Sequence, residues 1–128
     1  MTEADVVDRL RRRLEALPEV VAGFLHGSVL EGERARDLDV ALLLAQTPEE
    51  PARYVVDLAA DLSLELGRAV DVRVLNGASP AFRYHALQGR PVVVRDPERV
   101  GEFRARTWDE YFDFQPFARA YLREVLGA

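Results

Sequence analysis

The sequence predicts an α/β protein of the α+β kind, a mixed four-stranded sheet with helices packed against it. Three observations lead there. Four apolar, β-rich runs read as strands: "VVAGFLH" at 20–26, "DLDVALLL" at 37–44, "AVDVRVL" at 69–75 and "PVVV" at 91–94. Three dipeptides that set a capping residue before proline, Thr47-Pro48, Ser79-Pro80 and Asp96-Pro97, read as helix starts. The resulting order, α-β-β-α-β-α-β-α, places two strands in succession, which a purely alternating parallel pattern does not allow.

Each element follows from local chemistry. Residues 3–17 carry Val6, Val7, Leu10, Leu14 and Leu17 at helical spacing behind a cap at Thr2, and Pro18 ends the run. The second helix is expected to start at Pro48, with Glu50 completing a capping box on Thr47, and to stop at Gly67. The third runs from Pro80 to Gly89, where a left-handed terminal residue is expected. The last extends from Pro97 to about Leu126, with Pro116 expected to kink or split it. Its aromatic stripe, which includes Phe103, Trp108, Tyr111, Phe112 and Tyr121, reads either as a cover for the sheet or as a partner interface.

No linker, repeat or low-complexity tract divides the chain, so residues 1–128 are expected to form one domain. A chain of this size buries about two thirds of its unfolded surface, enough for a real core. No apolar run reaches the ~20 residues of a membrane span, and the N-terminus lacks the features of a signal peptide. A soluble, cytoplasmic protein is the expectation. Cysteine is absent, which removes disulfides and thiolate metal sites. The net charge of −5 argues against direct nucleic-acid binding, because neutralising phosphates needs a basic surface. The cluster "RLRRR" at 9–13 reads as a solvated helix face.

Against this background, "GSVLEGERARDLDVALLL" stands out. Strand side chains alternate, so Asp37 and Asp39 share a face, with Cα atoms roughly 6.5–7 Å apart. Carboxylates this close repel unless something positive lies between them, and hard divalent cations take such oxygen ligands. Asp71 opens another apolar strand, with Val70, Val72 and Val74 on the opposite face. Three such carboxylates on one sheet face can hold two metals roughly 3.5–4 Å apart and support phosphoryl or nucleotidyl transfer. Gly27-Ser28 supplies close backbone approach and a hydroxyl for phosphate oxygens. Taken singly, each piece has a plainer reading: a tight turn, followed by two exposed acids that protect an edge strand from aggregation.

Together, Gly27-Ser28, Asp37-Leu38-Asp39 and Asp71 resemble the nucleotidyltransferase signature of the DNA polymerase β superfamily. The likeness spans most of the chain. It is nearest to the minimal nucleotidyltransferases, the MNT antitoxins that accompany HEPN-type ribonuclease toxins, and the stretch from "VDVRVL" through "RDP" to the aromatic helix is similar to the corresponding region there. The resemblance implies the nucleotidyltransferase fold, two Mg²⁺ ions and ATP as substrate. It implies that Ser28 contacts the triphosphate beside Gly27, that Asp37 and Asp39 hold the metals, and that Asp71 completes the metal site and assists deprotonation. The implied reaction is transfer of AMP to a tyrosine of a HEPN partner, with which the protein would form a hetero-oligomer.

The loop departs from the family pattern. Val29 and Glu31 stand where such loops carry arginine, and only eight residues separate Ser28 from Asp37. Arg34 and Arg36 are the cations left in it. Two readings follow, an active transferase and an antitoxin that neutralises its toxin by contact. A third, transfer to a small molecule such as an aminoglycoside, finds no additional substrate domain.

Other polar residues have simpler roles. His26 reads as a structural strand-end residue, His85 as a solvent or partner contact, and Asp57 with Asp61 as a polar helix face. Arg73, on the same strand face as Asp71, either pairs with an acid or meets a phosphate.

Overall fold

The computed structural model describes residues 2–26 and 37–126. In chain order its elements are α1 (Glu3–Glu15), β1 (Val20–His26), β2 (Asp37–Leu44), α2 (Pro51–Leu66), β3 (Ala69–Val74), α3 (Pro80–Leu87), β4 (Arg90–Val94) and α4 (Pro97–Leu126). The strands form one sheet in the order β3-β2-β1-β4. β1 pairs antiparallel with β2 and β4, while β2 and β3 run parallel, so the sheet is mixed as expected.

Helices cover both faces. On one, α1 contributes Val6, Leu10 and Leu14, and α2 contributes Leu58, Leu62 and Leu66, over Leu25, Leu38, Val40, Leu42, Val70 and Val72. On the other, Ala86 and Leu87 of α3 join Val100 and Phe103 of α4 over Phe24, Ala41, Leu43 and Leu75. β1 and β2 are therefore nearly continuous apolar runs, whereas the edge strand β3 alternates exposed and buried positions. That alternation shows where the second helical layer stops: α3 and α4 pack on β1, and β3 stays uncovered on their side.

The ends of the elements show which local signals act. Thr2 caps α1 through a reciprocal box with Asp5, and Ser79 caps α3 by accepting from the Phe82 amide at 3.3 Å. α2 starts at Pro51, three residues beyond the expected start, and the box on Thr47 does not form. Pro51 is the reason. Its ring disfavours helical geometry in the preceding residue, and Glu50 has φ −120° and ψ 80°. Gly67 ends α2 in the left-handed conformation, with φ 65°. After β3, Asn76 extends the pairing with a side chain, accepting from Leu44 N at 2.9 Å and donating to Leu44 O at 2.8 Å.

Gly89 departs from the expected left-handed cap. α3 is capped by Gln88 in right-handed geometry, and Gly89 is not among the glycines with positive φ. Space explains it instead: a Cβ there would lie 2.2 Å from the Leu25 carbonyl oxygen. Gly89→Ala is expected to lower stability by about 1–3 kcal/mol, as overpacked sites do. A lower urea midpoint with an unchanged slope checks this.

α4 runs through Pro116 as one continuous helix and is not split there. Its aromatic stripe divides. Phe103 is buried against the sheet, while Trp108, Phe112 and Tyr121 are exposed, so the cover ends within three turns. No helix among the described residues is long and apolar enough to cross a membrane.

Candidate active site

β1 ends where β2 and β3 begin, and strand register lines up three polar side chains there. His26 of β1 is opposite Asp39 of β2, and Asp39 is opposite Asp71 of β3. Neighbouring strands lie about 4.8 Å apart, so the three residues form one row across the sheet. Asp37 lies two residues before Asp39 and shares its face, opposite Ala69. All four side chains point to the side that α3 and α4 cover over β1 and leave open over β3. The back of the row is apolar: Leu38, Val40, Val70 and Val72 are buried beneath it. Alternation of aspartate with apolar residues is thus what puts acids on an open face of a strand that is otherwise core.

The surroundings of the row come from β3 and α3. Arg73 Nε donates to Asp71 Oδ2 at 3.4 Å, and both side chains are more than half exposed. An exposed pair of this kind contributes about 0–1 kcal/mol, so Arg73 leaves Asp71 at little cost. The Arg73 guanidinium also lies over the Phe82 ring, 5.2 Å from its centroid, and Phe82 meets His26 edge to face at 5.6 Å. Phe82 thereby forms a wall at the α3 end of the site. Burial pushes the His26 imidazole below its usual range, partly offset by Asp39. Its Nε2 is buried without a hydrogen-bond partner among the described residues.

The residues expected from sequence are therefore partly assembled. Asp37, Asp39 and Asp71 share a face, and the last two are register neighbours. Arg73 takes the ion-pair role of the two it was given. Gly27 and Ser28 lie outside the described residues, as do Val29, Glu31, Arg34 and Arg36. Phe82 escaped the sequence reading because no motif marks it; its position follows only from the Ser79 cap that fixes the first turn of α3.

In chemistry the donor set suits hard divalent cations, since three carboxylates offer only oxygen. Among the described residues, however, no group of three His, Cys, Asp or Glu side chains is gathered around one point. The backbone placement of the three aspartates fits such a cation, while the Asp71 carboxylate is paired with Arg73.

Comparison with known proteins agrees with this fold. The family model for polymerase beta nucleotidyltransferases matches residues 8–98. Curated protein sequences return no significant match. Among solved structures, the chain is similar to a Shewanella oneidensis complex of tri-AMPylated HEPN toxin with MNT antitoxin, at 22% identity and TM-score 0.77, covering 98% of this chain and 99% of that one. It is also similar to a toxin–antitoxin structure with AMP-PNP, at 24% identity and TM-score 0.76 over 98% and 99% of the two chains. A point variant of the MntA–HpeT toxin–antitoxin gives 26% identity and TM-score 0.75 over 98% of each. These likenesses carry the nucleotidyltransferase fold along nearly the whole chain. With the family match extending from α1 through the start of α4 and enclosing the aspartate row, the chain belongs to the polymerase beta nucleotidyltransferase family.

Proposed function

We propose that this protein is an antitoxin that transfers AMP from ATP to a tyrosine of a cognate HEPN ribonuclease toxin, in a complex with that toxin in the cytoplasm. The observation that carries the proposal is the register match of Asp39 with Asp71, with Asp37 one step along the same open face. Support comes from the similar structures, one described as an AMPylated toxin with its antitoxin and another as a complex with AMP-PNP.

Asp37, Asp39 and Asp71 would hold two Mg²⁺ ions, which when bound supply positive charge to the reacting phosphate and to the leaving pyrophosphate. The chain's own groups do the rest. The apolar layer beneath β2 and β3 keeps the carboxylates pointing outward, and Phe82 closes one side of the site against water. Asp71, once free of Arg73, accepts the proton of the attacking tyrosine hydroxyl. The phenolic oxygen bonds to the α-phosphorus as the bond to pyrophosphate breaks. Arg73 is then available to a phosphate oxygen, a charge-assisted contact of the stronger kind. Ser28, which follows Gly27 in the sequence, would contact the triphosphate.

A specific observation favours the second reading, neutralisation by contact. Tyr84 stacks on Tyr111 at 4.2 Å, and Trp108 and Phe112 lie exposed around the pair. An aromatic patch of this kind suits a protein partner. One experiment separates the readings: incubation with a candidate HEPN toxin, Mg²⁺ and ATP labelled on its α-phosphate. Label on the toxin, with loss of ribonuclease activity that depends on ATP, is the expected result. Ribonuclease loss without label would replace transfer by contact.

A further inference from the structure

A second polar cleft, of about 290 Å³, lies at the other end of the same helical layer, bounded by Arg83 of α3, Arg99, Arg106 and Glu110 of α4, and Gly77 beyond β3. It shares no residue with the aspartate row. Leu43, on its floor, is four residues along β2 from Asp39, roughly 13 Å at the strand rise. Three arginines and one glutamate line it, so the cleft carries excess positive charge in a protein whose net charge is −5.

The partners of those cations leave capacity for an anion. Arg83 is nine-tenths buried, pairs with Glu110, and keeps its Nε without a hydrogen-bond partner among the described residues. Arg99 donates to the Ala45 carbonyl at 2.6 Å, and no carboxylate neutralises it among the described residues. Arg106 lies over the Phe103 ring, with its guanidinium carbon 5.8 Å from the centroid, and no acceptor meets it among the described residues. Burial, and then the nearby charge of Arg106, push the Arg83 guanidinium below its usual range, a crowding that a bound anion would relieve.

We propose that this cleft is a binding site for a phosphate group, either free inorganic phosphate or the phosphate of a mononucleotide, held by Arg83, Arg99 and Arg106. Planar guanidinium forks match phosphate oxygens in pairs, which favours phosphate over a spherical halide. The volume is at the small end of ligand sites, enough for a phosphate and little more than a mononucleotide. The proposal stands apart from the transferase reading, because none of its residues takes part in that reaction.

The test is an NMR titration of the protein labelled with ¹⁵N, using inorganic phosphate and AMP in separate arms at constant ionic strength set with sodium chloride. The expected result is a saturable shift of the Gly77 amide and the Arg83 Nε–H, equal in wild type and in Asp39→Asn, Asp71→Asn. The Arg99→Gln, Arg106→Gln variant should bind at least tenfold more weakly. Arg106→Gln alone, which removes an exposed side chain, should show an intermediate loss with an unchanged melting temperature. Binding of phosphate equal to or tighter than AMP identifies the free anion, and tenfold tighter binding of AMP identifies the nucleotide. The proposal is overturned if neither probe gives a saturable shift, if the arginine variants bind as wild type does, or if the aspartate variant abolishes the shifts.

Discussion

Asp39→Asn with Asp71→Asn is expected to lower Mg²⁺-dependent AMP transfer by at least ~10³-fold while leaving the melting temperature unchanged or slightly raised. Loss of metal-borne charge stabilisation on a reacting phosphate accounts for several kcal/mol, and each 1.36 kcal/mol is tenfold in rate. Stability moves the other way because the two acids are register neighbours on an open face. Like charges across a strand pair destabilise by about 0.2–1 kcal/mol, and asparagine removes that repulsion without changing shape. Exposed Arg73 loses a partner of similarly small value. Initial rates with ATP labelled on its α-phosphate, measured beside thermal melts of the same samples, check both halves. Transfer within tenfold of wild type would remove the aspartate row from the chemistry, and a large drop in melting temperature would make it structural.

How far this site was legible before any coordinates depends on the period of a strand. Asp37, Asp39 and Asp71 each alternate with apolar residues, and alternation alone determines that Asp37 and Asp39 face away from Leu38 and Val40, and Asp71 from Val70 and Val72. It does not determine register. A slip of one residue between β2 and β3 would leave Asp71 beside a side chain of the opposite face, and only the paired strands show Asp39 against Asp71. His26 and Phe82 were illegible as parts of the site for the same reason, since each reaches the row through pairing or packing with a distant element.

The fold shows a similar boundary between local and non-local information. Strands and most helix ends follow from nearest neighbours, as Ser79 before Pro80 and Gly67 after Leu66 illustrate. Two positions depart from the local signals, Pro48 and Gly89. Thr47-Pro48 and Glu50-Pro51 both offer a proline start, and the second wins because each proline bars helix in the residue before it. Gly89 carries the composition of a left-handed cap, but the Leu25 carbonyl against it, far away in sequence, is what excludes a side chain. The division of α4 into a buried first part and an exposed aromatic part depends on how far β1 and β4 extend beneath it, which no local pattern encodes.

Phe24→Ala is expected to lower stability by about 3–5 kcal/mol, a large share of the ~5–15 kcal/mol typical of a domain. Phe24 is fully buried and lies at the centre of the cluster that joins β1 to α3 and α4. Its strand neighbours are Ala41 and Pro91, which are too small to fill the space a benzyl group leaves. Collapse around the cavity is correspondingly limited, and the cost tends to the upper part of the range. For a chain of this length the melting temperature should fall by roughly 10–20 °C. Leu64→Ala serves as the control, because Leu64 is 86% exposed and its truncation should change stability by less than about 0.5 kcal/mol. Below the melting transition, the variant should keep AMP transfer within a few-fold of wild type. Asp39 and Asp71 are held against each other by the β2–β3 pairing and by the opposite core layer, neither of which includes Phe24. A stability loss under 1 kcal/mol would mean that α3 and α4 do not rest on β1 as described, and the wall that Phe82 forms beside the aspartates would go with them.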